Sequence, residues 1–349
     1  MVDSSDSSGQ PMSIEKRQKR PIEINRLNIK QDMIKAFSDC SILNDDIEIN
    51  VINQRGEKEE GFGSGVYSDV LSIFWCEVYE SLMIGEEERV PCIRHDYQRQ
   101  EWEAIGRVLV FGYKGYQYFP ILLSKTFFAH CLLGENVITA NMLLHSFRKY
   151  VSESERALID QCFSGKIEVS DEKLVDFFSD FDCKVILKES KLGQILEELS
   201  HKELIQKPQY VAECWKLVVC QLVPDFPSLG SIDDLYNHLV ATNDKVINAL
   251  QVEFTNDVER ECFKYLKRYL RGLDKSKLER FLKFTTGSEL MLFHNIQIRF
   301  NQYEGASRRP IAHTCSCILE IPSTYTSFPE LREEFTHILE ANTWEIDIR

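Results

Sequence analysis

The 349-residue sequence contains no apolar run approaching the roughly 20 residues that a membrane-spanning helix needs. Its opening residues, MVDSSDSSGQ, carry no apolar signal core. Positive charge is in deficit: 41 Lys and Arg face 55 Asp and Glu, for a net charge of -14. That balance argues against a general nucleic-acid binder and against a binder of anionic membranes. The 11 cysteines are odd in number and are scattered from Cys40 to Cys317 without the paired spacing of a disulfide framework. They imply a reducing compartment, the cytoplasm or the nucleus, in which most thiols pack as small hydrophobes. A glycine cluster occurs at Glu59–Val66 (EEGFGSGV), but no Gly-Lys-Ser/Thr follows it, so it reads as a tight turn ahead of a helix over Tyr67–Leu82 rather than a phosphate loop. No internal repeat is present. Nothing in the sequence calls for a metal or a cofactor.

What is present is enough apolar material for a core, with a hydrophobic fraction of 43% and an aromatic fraction of 11%. The length favours two lobes over one. Residues 1–21 are polar and are expected to form a disordered tail. Within it, EKRQKR at Glu15–Arg20 reads either as a solvated basic stretch or as a nuclear localisation signal. Ile29, Met33, Ile34 and Phe37 recur at helical spacing, and Asp46–Ile52 alternates like a strand. Trp102–Leu109 and Ser124–Leu133 read as buried helices, joined by an aromatic, glycine-bearing connection (FGYKGYQYFP). Helical segments run from Ala140 to about Leu222, are broken at Asp225–Gly230 (DFPSLG), and resume from Ser231 to about Ala249. A boundary between lobes is expected near Asp244–Phe254. Beyond it, Cys262, Tyr265, Leu266, Tyr269 and Leu270 mark one helix face that stops before Gly272. Asp274 can cap a further helix carrying Leu278, Phe281 and Leu282.

The most chemically suggestive stretch is PIAHTCSCILEIPSTY, from Pro310 to Tyr325. Three readings compete for it. His313, Cys315 and Cys317 could be metal ligands, but zinc takes four nitrogen or sulfur ligands and no second spaced pair exists. They could lie with Leu319 on one face of a strand, as period-two alternation allows. Or Cys315 is a nucleophile with His313 and Thr314 as orienting neighbours. Exchange of one thioester for another is nearly balanced in energy, so such a thiol needs access more than it needs a strong base.

The same residues resemble the C-lobe of HECT-type ubiquitin ligases. That family carries Leu-Pro-x-Ala-His-Thr-Cys, a strand, Leu-Pro-x-Tyr and a closing helix. Here Pro310, Ala312, His313, Thr314 and Cys315 match, followed by Leu319, Ile321-Pro322, Tyr325 and Leu331–Phe335 (LREEF). Upstream, Phe281–Ser288 (FLKFTTGS) resembles the family's Leu-x-Phe-x-Thr-Gly-Ser segment, and Gly61–Trp75 resembles the start of its N-lobe. The resemblance implies an α+β, bilobal HECT-type fold, with a mainly helical N-lobe over 22–248 joined by a hinge to a smaller α/β C-lobe over 249–349. It further implies a transferase that takes ubiquitin as a thioester on Cys315 from a ubiquitin-conjugating enzyme and passes it to a lysine of a protein substrate. The alternative is a non-catalytic module that binds ubiquitin or a partner. The sequence departs from the family pattern at Ser316-Cys317, which replace Phe-Asn, and at Glu289-Leu290-Met291, which replace Leu-Pro and glycines. It departs again over Lys166–Gln209, where a rebuilt docking surface around Phe177, Phe178 and Phe181 is one expectation. Near the end, Ile346 stands fourth from the last residue, where the family often has an aromatic, and Trp344 stands two residues earlier.

Overall fold

The computed structural model describes residues 18–59, 63–166, 168–184, 188–305 and 308–340. The expectations for Trp344 and Ile346, for residues 1–17 and for part of the glycine cluster lie outside them. The fold is α+β, with many helices and, among the described residues, three small sheets.

The N-terminal unit begins with a parallel pair of strands, β1 (Lys19–Asn25) and β2 (Asp46–Ile52), linked by helix α1 (Ile29–Phe37). The strand expected at Asp46–Ile52 and the apolar face Ile29, Met33, Ile34 and Phe37 are both present, the latter buried. The disordered tail expected over 1–21 is corrected at its end. Lys19–Pro21 pair with Asp46–Glu48, and Arg20 bridges Asp39 and Asp45. Pairing satisfies the backbone groups there, which composition alone cannot reveal.

Helix α2 (Ser64–Leu82) starts three residues before its expected first turn and leads into a short hairpin, β3 (Met83–Gly85) and β4 (Arg89–Pro91). Helix α3 (Arg99–Tyr116) runs well past Leu109, so more than half of the expected glycine-bearing connection is helical. Two of its three glycines, Gly106 and Gly112, serve close packing. A Cβ on Gly106 would sit 3.2 Å from the Trp215 ring, and one on Gly112 would sit 3.2 Å from the Tyr118 carbonyl oxygen. Trp215 also donates to the Trp102 carbonyl at 2.8 Å.

Helices α4 (Lys125–Leu133), α5 (Ala140–Tyr150) and α6 (Glu153–Phe163) start at hydroxyl caps on Ser124, Thr139 and Ser152. Helices α7 (Glu172–Asp180), α8 (Leu192–His201), α9 (Gln209–Val219) and α10 (Leu229–Leu239) complete the unit. Phe177 and Phe178 are buried, and Phe181 packs on Phe147 and Phe177. The docking surface expected around these three phenylalanines is therefore core.

The C-terminal unit comprises α11 (Asn243–Ala249), β5 (Leu250–Val252), α12 (Asp257–Arg271), α13 (Lys275–Thr286), β6 (Ile296–Asn301), β7 (Ile311–His313), β8 (Ile318–Pro322) and α14 (Phe328–Glu340). Its sheet has the order β5-β6-β8-β7, parallel except for the antiparallel β7–β8 pair. Gly272 follows the last residue of α12, and Asp274 caps α13 by accepting from Lys277 N at 2.9 Å. The helix expected from Ser231 to Ala249 is instead two helices, α10 and α11. Buried side chains form two clusters. The first extends to Leu239 and the second begins at Val246, before the expected lobe limit at 248/249. The segment after α13 crosses over: Leu290 is buried in the first cluster and Leu292 packs against it, while Met291 between them lies in the second.

Candidate functional site

Strands β7 and β8 run antiparallel with Ala312 opposite Leu319 and His313 opposite Ile318. Between them Thr314–Ser316 form a single 3-10 turn, closed by Cys317 N donating to the Thr314 carbonyl at 3.3 Å. This excludes the reading in which His313, Cys315, Cys317 and Leu319 share one strand face. Instead, the turn separates the two thiols: Cys315 is exposed at its crest and Cys317 is buried. Cys317 takes a left-handed conformation, φ 51°, which costs a non-glycine residue about 1–2 kcal/mol. It turns the chain into β8, where its carbonyl accepts from Gln297 N at 2.9 Å. Burial, and then the neighbouring Cys315, push the Cys317 thiol up to about 11, so Cys317 is a poor thiolate at neutral pH.

The residues flanking the turn are fixed from several sides. His313 Nε2 lies 3.2 Å from Glu320 Oε1, a partner presented by β8 that the sequence reading did not single out. Glu320 lies on the strand whose pairing sets the hairpin, so only the register could have revealed it. Thr314 is buried. The chain entering β7 is anchored at Arg308, whose guanidinium lies within 4 Å of both Glu330 and Glu334 on α14 and stacks over the Tyr325 ring at 5.2 Å.

The other wall of the site comes from the N-terminal unit. The first turn of α2 abuts the cysteine turn so closely that a Cβ on Gly65 would lie 3.1 Å from both Cys315 Cα and Cys315 N, and 3.2 Å from the Thr314 carbonyl carbon. Gly287, which ends α13 in a left-handed conformation (φ 80°), completes the junction. A Cβ there would lie 3.1 Å from the Gly65 carbonyl oxygen and 3.8 Å from Thr314 Cβ. Two glycine motifs that are distant in sequence therefore meet at Cys315. The sequence signals were the glycine cluster at 59–66 and the Thr-Gly-Ser segment, read separately as a turn and as a family resemblance.

The arrangement is an exposed thiol on a rigid turn, with a histidine and carboxylate beside it and a backbone wall behind it. It suits a nucleophile that must be reached by a large partner from one side. A comparison with curated proteins finds no match to the chain. Residues 234–345 match the family model for the HECT-domain (ubiquitin-transferase), and they contain the hairpin, the cysteine turn, Gly287 and α14. This C-terminal segment, about a third of the chain, is thus similar to the catalytic domain of the HECT-type ubiquitin transferases.

Proposed function

We propose that the chain is an active ubiquitin transferase in which Cys315 carries ubiquitin as a thioester. The Cys315 thiolate attacks the carbonyl of a ubiquitin thioester on a conjugating enzyme docked against the N-terminal unit. The tetrahedral adduct collapses by expelling the enzyme's thiolate, which takes up a proton equivalent to the one Cys315 released. A substrate lysine amine then attacks the new thioester. An amide bond forms, the C–S bond breaks, Cys315 regains its proton, and the amine loses one to solvent. His313, held by Glu320, and the buried Thr314 orient the thiol. The observation that carries the reading is the place of Cys315: it is the exposed thiol within the HECT-matching segment and stands at the crest of a turn fixed on three sides.

The test is charging with activating enzyme, a panel of conjugating enzymes and ubiquitin, resolved on non-reducing gels. The wild type should form an adduct that thiol reductant removes, and Cys315→Ala should form none. Wild-type protein left unmodified across the panel would instead favour a non-catalytic HECT-like module that binds ubiquitin or a partner. That second reading draws on the extent of the family match, which leaves most of the N-terminal unit unmatched.

A further inference from the structure

After α13 the chain makes an excursion out of its own unit. Glu289 and Leu290 enter the N-terminal unit, Met291 packs in the second core, and Leu292 rests against the first. Leu290 is 2% exposed and packs in the first core. The Glu289 carboxylate accepts from two hydroxyls of that unit, Ser72 on α2 and Tyr118 just after α3, the latter at 3.2 Å. Both donors are 1% exposed. A buried hydroxyl without an acceptor costs about 1–3 kcal/mol, so the two donors define a socket for one acceptor. On the other side of the excursion, Gly287 leaves no room for a side chain: a Cβ there would lie 3.1 Å from the Gly65 carbonyl oxygen and 3.8 Å from Thr314 Cβ. The segment from Gly287 to Leu290 is thus a strap, fixed at one end in the N-terminal core and pressed at the other against the residue before Cys315.

We propose that Glu289 is a positioning residue for Cys315. By filling the Ser72–Tyr118 socket it holds the cysteine turn against the first turn of α2, so that the thiol faces away from α2 in one orientation. The inference rests on the transferase reading for its consequence, but not for its geometry. Glu289 lies where this chain departs from the family pattern, so the device is read from this structure alone.

Two measurements on the full chain test it. The first is amide hydrogen exchange over residues 311–318 and over the first turn of α2, in wild type, Glu289→Ala and Glu289→Gln. Loss of hydrogen bonds to a carboxylate should speed local exchange in Glu289→Ala by about tenfold or more. Glu289→Gln, which keeps one acceptor oxygen, should recover part of the protection. The second is steady-state transfer from a ubiquitin-charged conjugating enzyme. Glu289→Ala should lower the maximal rate by about tenfold and leave the half-saturating concentration of the conjugating enzyme unchanged, because the thiol's orientation is lost and no docking surface is altered. A merely structural residue would not produce that split or its partial rescue by Gln. If Glu289→Ala fails to fold, Ser72→Ala with Tyr118→Phe empties the socket from the other side and should give the same two signatures. Unchanged exchange at both segments, or a maximal rate that is unchanged or raised, overturns the proposal. If exchange responds as expected but wild-type Cys315 never forms an adduct, the positioning geometry stands and the transferase reading fails. If the adduct forms but exchange does not respond, the reverse holds.

Discussion

Gly65 is the residue on which the site turns, although it carries no chemistry. A methyl group there would be driven to about 3.1 Å from the Cys315 backbone, with the Thr314 carbonyl carbon at 3.2 Å. Neither neighbour is the loose end of a side chain, so the turn or the helix must shift. Overpacking of this kind costs about 1–3 kcal/mol. Gly65→Ala should therefore lower the urea midpoint and reduce adduct formation on Cys315 together. Gly115→Ala is the control: it lies in the last turn of α3 with nothing within 4 Å of its added Cβ, and it should leave both unchanged or gain slightly, since alanine is the better helix former by about 1 kcal/mol. Equal effects at both glycines would show that the Cys315 contact has no special weight. The motif around Cys315 was legible as a motif because it is contiguous: His313, Thr314 and Cys315 stand side by side in the sequence. The roles of Gly65 and Glu289 were not legible, because each depends on a partner more than 150 residues away in sequence, Cys315 for one and Ser72 and Tyr118 for the other.

At the scale of the element, β8 is the strand most dependent on neutral thiols. Cys317 is buried just before it, and Cys262 from α12 is buried beside its end, donating from Sγ to the Pro322 carbonyl at 3.4 Å. Burial pushes Cys317 up to about 11 and Cys262 up to about 12. In the unfolded chain both titrate near the ordinary thiol value of about 8.5. Because the folded values are the raised ones, the stability they contribute is complete below pH of about 8.5. It declines as the unfolded thiols ionise and is lost through the folded values, with a slope of at most about 1.4 kcal/mol per pH unit for each group. Replacing Cys317 by Ala should thus flatten the fall of the urea midpoint between about pH 8.5 and 11. A slope identical to wild type would mean that the Cys317 thiol ionises freely in the fold. The periodicity of α1, the alternation of β2 and the cap at Asp274 were all readable, since each is decided by residues within one element. The extent of α3 was not, because Gly106 and Gly112 fit against Trp215 and Tyr118 rather than following helix propensity, and tertiary packing overrides local preference.

At the scale of the molecule, the chain is two cores joined covalently through Val240–Thr242 and again through the Leu290 anchor. A boundary drawn from sequence has to be a single cut, and here no single cut exists: the segment after α13 belongs to the C-terminal unit by connectivity and to the N-terminal core by burial. This makes Leu290 a test of whether the units share stability. Truncating a fully buried leucine costs about 2–5 kcal/mol, depending on how far the site collapses, and the cavity would open in the first core although the residue lies far along the chain. Three of the four tryptophans, Trp75, Trp102 and Trp215, are buried in that same core, so tryptophan fluorescence reports chiefly on its unfolding. Leu290→Ala should shift the fluorescence-detected urea transition to lower denaturant. Leu319→Ala, which empties an equally buried position in the second core, should shift that transition less than it shifts the loss of helical signal, because the second core holds none of these three reporters. If Leu290→Ala left the tryptophan transition in place, burial of Leu290 would hold nothing, and the cysteine-bearing unit would be tied to its neighbour by the Val240–Thr242 connection, the Glu289 hydrogen bonds and the packing of the cysteine turn on α2. If both variants moved fluorescence and helical signal equally, the two cores would unfold as one cooperative unit, and any movement of Cys315 between partners would have to occur without separating the lobes.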